Sequence, residues 1–237
     1  MNINNQVIDF LVNDEMSNIN IINFIESYPS HHVEKIGDSI LLRGTSDKDW
    51  VYISSKSEED LKTIKNRLKG NDKNFAAIEE WMIPIITKDK KIIWKLSAVK
   101  LILVDESFEF DSKYTLTELT RNDADFIYEN SDYKNVISIE YIIDRIIKGE
   151  SSCIRYKGKP AAWAITQDDG AIGFLHVLPE FRRMGYGREV TMDLIKKVQK
   201  KNKIPFVHIE EKNEKSMSLA MNLGFMKDKV VSWFEIE

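Results

Sequence analysis

A single cysteine, Cys153, stands among the 237 residues, so no disulfide can form within the chain. Such sparing use suits a reducing compartment. Between Ser152 and Ile154 that cysteine reads as a buried strand residue rather than a nucleophile. No apolar run approaches the ~20 residues of a membrane span. The first residues, Met1-Asn2-Ile3-Asn4, show neither the basic start nor the apolar core of a secretory leader. Positive charge is not in excess: 34 Lys and Arg against 38 Asp and Glu leave a net charge of −4. That balance argues against the basic stripe of a nucleic-acid binder. Heptads, proline-rich tracts and low-complexity segments are absent. These absences lead us to expect a cytoplasmic protein with no membrane and no nucleic-acid partner, and they leave both a monomer and a homodimer open. His31 and His32 have no Cys, His or carboxylate at ligand spacing, so they read as a solvated turn pair and no metal is expected.

Glycine is scarce and unevenly placed. Of ten, only Gly37, Gly44 and Gly70 precede residue 110; the other seven lie between Gly149 and Gly224. A loop that brings backbone close to a ligand needs glycine, so the site is expected in the second half. The acidic, weakly periodic segment 104–113 reads as a linker, dividing the chain into 1–110 and 111–237.

The first half reads as two short helices (3–13 and 18–28) and a hairpin near 33–54. A charged helix over 57–68, opened by Ser57-Glu58-Glu59-Asp60, follows. A strand at 75–78, a helix around 79–87 and a long strand over 92–104 complete an α/β mixture without catalytic signature. The second half opens with a strand at 115–119 and helices at 123–130 and 139–148. Strands at 151–157, 161–166 and 172–177 are joined by turns at Gly158-Lys159 and Asp168-Asp169-Gly170. A helix over 186–201, a strand at 206–210, a helix at 213–222 and closing strands through 230–236 follow. Antiparallel strands followed by strand–helix–strand give an α/β (α+β) class with a mixed sheet.

The chemistry concentrates after the strand at 172–177. There Val177 and Leu178 lead through Pro179-Glu180-Phe181 into Arg182-Arg183-Met184-Gly185-Tyr186-Gly187-Arg188, where a helix begins. Free N–H groups at a helix N-terminus, aided by the dipole, hold pyrophosphate oxygens without a metal. Gly185 and Gly187 admit close backbone approach, and the three arginines supply charge and forked donors.

This run resembles the acetyl-CoA pyrophosphate loop of the GNAT superfamily, Arg/Gln-x-x-Gly-x-Gly/Ala after the fourth strand. Asn213-Glu214-Lys215-Ser216, then Leu219 and Leu223-Gly224-Phe225, resemble the superfamily's second signature, and the matches cover residues 115–237. Within the superfamily, His208-Ile209-Glu210-Glu211-Lys212-Asn213, Trp163, the loop from Leu178 to Arg182 and Ser232-Trp233-Phe234 are similar to the glycine N-acyltransferase-like branch. The resemblance implies a splayed mixed sheet, with residues 1–110 as a degenerate GNAT-like domain lacking a cofactor site. It places acetyl-CoA, as co-substrate, between strands 172–177 and 206–210. Val177, Leu178, Arg182–Arg188, Asn213 and Ser216 would hold it, with pantetheine on the backbone near Val177. It also implies direct attack on the thioester by a primary amine of a small molecule or amino acid. A non-catalytic acyl-CoA-binding protein and a protein N-terminal or lysine acetyltransferase are the alternatives.

Two superfamily positions are vacant: the usual strand-four Glu aligns with Ala171, and the usual thiolate-protonating Tyr aligns with Ala220. Tyr186 is a distant alternative acid beside the phosphate loop. The expected base is His208, in a slot where ribosomal-protein alanine N-acetyltransferases carry Glu; an ordinary imidazole titrates near ~6.5 and can take a proton at neutral pH. Glu210, two residues on, would orient it or bind substrate. His176 alternates with Ile172 and Phe174, away from Ala171 and Gly173, and reads as packing. The lysines of 196–201 read as a solvated helix end.

Overall fold

In a computed structural model, residues 3–105 and 110–237 are described, with side chains from Val7 onward; residues 106–109 of the expected linker lie outside them. The elements are α1 (Ile3–Val12), α2 (Glu15–Ser27), β1 (Ser30–Ile36), β2 (Ser39–Thr45), β3 (Asp49–Ser54), α3 (Glu58–Arg67), β4 (Asn74–Glu79), α4 (Ile83–Ile86) and β5 (Ile92–Ile102). They continue with β6 (Leu116–Thr117), α5 (Ala124–Glu129), α6 (Ile139–Lys148), β7 (Ser151–Tyr156), β8 (Lys159–Thr166), β9 (Ile172–Val177), α7 (Tyr186–Lys200), β10 (Phe206–Ile209), α8 (Glu214–Asn222) and β11 (Met226–Ile236).

The chain forms two compact units. Unit 1 gathers the residues up to Lys100 with Ile209–Lys212 and Lys227–Glu237; unit 2 comprises Leu101–His208 and Asn213–Met226. Strands of unit 1 run in the order β1-β2-β3-β4-β11-β5. β1, β2 and β3 are antiparallel neighbours, β3 and β4 are parallel, and β11 is antiparallel to β4. Strands of unit 2 run β10-β9-β8-β7-β6, antiparallel except for the parallel β9/β10 pair.

The element order repeats. From α1 to β5, and again from α5 to β11, the chain runs α-α-β-β-β-α-β-α-β. Each time three antiparallel strands end in a parallel step bridged by one helix, α3 or α7. No residue pattern in the sequence advertises this repeat, because it lies in hydrophobic spacing and turns rather than in residue identity.

Local chemistry explains the boundaries. Ser57 caps α3 by accepting from the Asp60 N–H at 3.2 Å, and Glu58, Glu59 and Asp60 in the first turn face Lys65 and Arg67 in the last, matching the helix dipole. Ser138 caps α6 through the Tyr141 N–H. Lys157 and Gly158 have φ of 50° and 80°, the two left-handed residues of a tight hairpin turn. That turn lies one residue earlier than Gly158-Lys159. His31 and His32 sit on β1 rather than in a turn, where His31 contacts the Thr45 hydroxyl and His32 Nε2 lies 3.3 Å from Glu34.

Unit 1 buries Phe24, Tyr52, Leu42 and Ile40 in one apolar cluster, and Phe75, Phe234, Leu41 and Leu61 in another. In unit 2 Leu119, Ile127, Ile142, Cys153, Trp163 and Ile165 form the core. Burial pushes the Cys153 thiol up to about 11, with Arg155 opposing, so it carries no thiolate at neutral pH.

Unit 2 is tied at its first turn by Asp123. Arg155 donates to both carboxylate oxygens at 2.9 and 2.8 Å, and the Thr120 N–H donates at 2.7 Å. Burial works against the ionised form, but the bonds from Arg155 and Thr120 outweigh it and hold the carboxyl below its ordinary 3.8. A depressed carboxyl contributes stability above its unfolded-state value and loses it as pH falls through the folded one. Asp123→Asn is therefore expected to destabilise the protein by about 1–3 kcal/mol at pH 7. Urea denaturation should show the gap to wild type closing as pH drops below that ordinary value; a pH-independent gap would contradict the assignment.

Candidate coenzyme-binding and catalytic site

β9 is the strand that organises the site. Its pairing with β8 advances by three residues where β8 advances by two: Trp163 faces His176 and Ile165 faces Gly173. The extra residue makes a β-bulge, and within it Phe174 has φ 49°. Cross-strand partners share a sheet face, so the bulge places His176 on the same face as Gly173. Uninterrupted alternation had put them on opposite faces. His176 stacks on Trp163 at 4.8 Å with an interplanar angle of 20°. Burial lowers its pKa from 6.5, with Asp132 opposing and Arg182 adding to the effect, so the ring packs neutral.

Beyond β9 the backbone turns through Pro179–Phe181 to Gly185, the residue before α7, with φ 84°. No side chain caps this helix. Its first intrahelical bond runs from the Glu189 N–H to the Gly185 carbonyl at 3.1 Å, so the N–H groups of Tyr186, Gly187 and Arg188 precede the ladder. A Cβ at Gly185 would point into open space, while one at Gly187 would sit 3.4 Å from Val177 Cγ2. Arg182, Arg183 and Arg188 are exposed. Arg182 Nε donates to the Val177 carbonyl at 3.1 Å. Among the described residues, none of the three guanidinium groups is in an ion pair with a carboxylate. The loop is braced from behind: Tyr114 Oη donates to the Met184 carbonyl at 2.8 Å, and the Tyr186 ring stacks on Phe181 and meets Tyr114 edge-on. Buried Glu189 accepts from Ser112 at 2.7 Å, which keeps its charge inside the fold.

These features fit a pyrophosphate group. Uncapped N–H donors, a left-handed glycine with open space above it and three exposed cations converge on one loop. Asn213 stands at the start of α8, where its side chain accepts from the Ser216 N–H at 3.2 Å, and Gly224, φ 92°, ends that helix. Val177, Leu178, Arg182–Arg188, Asn213 and Ser216 all belong to unit 2.

Ala171 and Ala220 are buried and hold no ionisable group. Gly173 lacks a side chain because the Gln167 amide occupies the space, 2.8 Å from where its Cβ would stand. Val207 pairs with Ile172, so His208 faces the Gly173 side of the sheet. His208 is almost fully covered, its side chain 5% exposed, with the Phe206 ring edge-on at 5.4 Å. Its Nδ1 lies 3.9 Å from Oδ2 of Asp169. Asp169 escaped the sequence reading because it lies within an Asp-Asp-Gly turn signal. Glu210 follows β10, and its carboxylate accepts from Lys212 at 2.9 Å. The basic end of α7 is not simply solvated. Lys196 donates to the Phe110 carbonyl at 3.2 Å, Lys197 to the Ser151 carbonyl at 2.6 Å, and Lys201 pairs with Glu150.

Comparison with known proteins agrees with this architecture. The FR47-like protein family model matches residues 153–234. The chain is similar to a Drosophila protein of known crystal structure, with TM-score 0.79 and 13% identity, over 98% of this chain and 95% of that one. A GCN5-related N-acetyltransferase from Kribbella flavida matches with TM-score 0.54 and 12% identity, covering 93% and 94% of the two chains. A tandem GNAT protein from the clavulanic acid biosynthesis pathway matches with TM-score 0.53 and 9% identity, over 92% and 87%. The chain has the GNAT acetyltransferase fold.

Replacing Gly185 by Asp adds a strained left-handed side chain and a negative charge at the helix start. Acetyl-CoA affinity measured by calorimetry is expected to fall at least tenfold, about 1.4 kcal/mol, with the circular-dichroism spectrum unchanged. Wild-type affinity in that variant would remove the basis for placing the coenzyme here.

Proposed function

We propose that the protein is an acyl-CoA-dependent N-acyltransferase that moves an acetyl group from acetyl-CoA to a primary amine of a small molecule or amino acid. The observation that carries this reading is the uncapped start of α7, opened by left-handed Gly185 and flanked by three exposed arginines. Acetyl-CoA, when bound, supplies the activated acyl thioester; the chain's own residues bind, orient and deprotonate. Arg182, Arg183, Arg188 and the N–H groups of Tyr186–Arg188 hold the pyrophosphate. Among the described residues β10 pairs with β9 through Val207 and Ile172, near the start of β9, which leaves backbone groups of β9 toward Val177 for an extended pantetheine arm. His208 accepts the proton of the acceptor amine, since only the neutral amine attacks. We assign no separate acid in place of the Tyr missing at Ala220, because thiolate is a tolerable leaving group. The narrower resemblance to glycine N-acyltransferase-like proteins sets the first acceptors to test: glycine and other small amino acids.

The N-terminal repeat, α1 to β5, shares the element order but not the chemistry. Its equivalent helix, α3, is capped by Ser57 and begins with three carboxylates, which repel phosphate where α7 attracts it. We assign it no coenzyme, and we read residues 1–110 as a degenerate GNAT-like domain.

A second reading, a non-catalytic acyl-CoA-binding protein, is favoured by the two alanines at 171 and 220. Thiol release from acetyl-CoA across a panel of amines separates the two: turnover supports the enzyme, and binding without turnover on every amine supports the second reading. In the enzyme, His208→Ala is expected to lower kcat at least tenfold at pH 7, within the ~10²–10⁴ typical of general-base help. Acetyl-CoA affinity should hardly change, and part of the rate should return at higher pH. Full kcat at pH 7 would place the base elsewhere.

A further inference from the structure

We propose that Asp169 is the positioning residue for His208, fixing which imidazole nitrogen is left to accept the proton. The inference rests on His208 being the base and deepens that reading. Aspartate in a hairpin turn is ordinarily solvated, yet Asp169 is 1% exposed. Its Oδ1 accepts the Ala171 N–H at 3.1 Å, and Oδ2 lies 3.9 Å from His208 Nδ1, within ion-pair reach and longer than a hydrogen bond, so closing that gap needs only a small side-chain movement. The turn is itself anchored, since Tyr141 Oη donates to Asp168 Oδ1 at 3.1 Å and the Asp169 N–H donates to the same oxygen at 3.1 Å. Asp169 is therefore held by the fold before any substrate arrives.

A carboxylate this covered is costly unless a donor or positive charge stands near it. A neutral imidazole has one N–H and one lone pair. Placing the N–H on Nδ1, toward Asp169, leaves the lone pair on Nε2. Nε2 takes a proton from the acceptor ammonium, the neutral amine then bonds the acyl carbon, and that nitrogen sheds its second proton to solvent. The carbon–sulfur bond breaks, and the electron pair leaves on sulfur. The imidazolium formed is stabilised by Asp169 and then gives its proton to solvent or to the departing thiolate, so the charge balances. The carboxylates of Asp168 and Glu210, which flank β9 and β10, have partners of their own. Asp168 is engaged by Tyr141, β9 presents Ile172 and Gly173, and beyond β10 Glu210 pairs with Lys212.

Ring-nitrogen NMR on the full chain tests this directly, with His208 assigned by the signals lost in His208→Gln. The wild-type ring is expected to carry its neutral proton on Nδ1. A neutral proton on Nε2 would overturn the proposal. In Asp169→Asn, which can still accept from Ala171, the His208 titration midpoint should fall by about one pH unit or more. The acidic limb of the kcat profile should move down with it, and kcat at pH 7 should drop at least tenfold while the acetyl-CoA affinity holds. An unchanged midpoint and profile in Asp169→Asn, with His208→Ala impaired, would overturn the positioning role alone. Full activity in His208→Ala would overturn both it and the base assignment.

Discussion

The start of α7 is the constraint from which the functional reading follows. A helix leaves its first N–H groups without partners, and most helices satisfy them with a side chain, as Ser57 does for α3. At α7 the preceding residue is a left-handed glycine with no side chain to offer. The donors stay open, the dipole adds partial positive charge, and the surrounding arginines add full charges. An exposed helix start that combines a left-handed glycine with surrounding arginines is chemically suited to an anion. Much of the surrounding packing serves that loop: Tyr114, Phe181 and Tyr186 brace it, and buried Glu189 is turned inward to Ser112.

A second constraint is the bulge in β9. One additional residue at Phe174 changes the parity of the strand, so His176 joins Gly173 on one face. The same irregularity interrupts strand pairing before Val177, next to the phosphate loop. Bulges commonly re-aim side chains beside active sites. Here the shift puts His176 into a stack with Trp163 and leaves the early part of the strand to Gly173, Gln167 and the neighbouring His208 and Asp169.

Much of the fold was legible because its signals are periodic or positional. Helix α3 announces itself by Ser57, and β7, β8 and β9 by apolar runs between glycine turns. The turn into α7 was legible because Gly185 and Gly187 follow an apolar strand and open a helix. The bulge was not, since Phe174 is a non-glycine residue at positive φ and only cross-strand pairing reveals it. Asp169 was hidden because Asp-Asp-Gly is first of all a turn signal; its burial is a tertiary fact. His31 and His32 were read as a turn because strand pairing with β2, a nonlocal interaction, holds them on β1. Lys196 and Lys197 looked solvated because the carbonyls they reach, Phe110 and Ser151, are distant in sequence.

The two repeats, α1 to β5 and α5 to β11, share an element order and differ in how their equivalent helices begin. Open donors and arginines mark α7; a capping serine and three carboxylates mark α3. Calorimetric titration of the full chain with CoA tests that contrast most directly. One CoA per chain is expected, abolished by charge reversal at Arg182 and Arg183. Two equivalents, or a nucleotide found against Trp50–Ser54, would contradict the claim that α7 alone is built for the coenzyme.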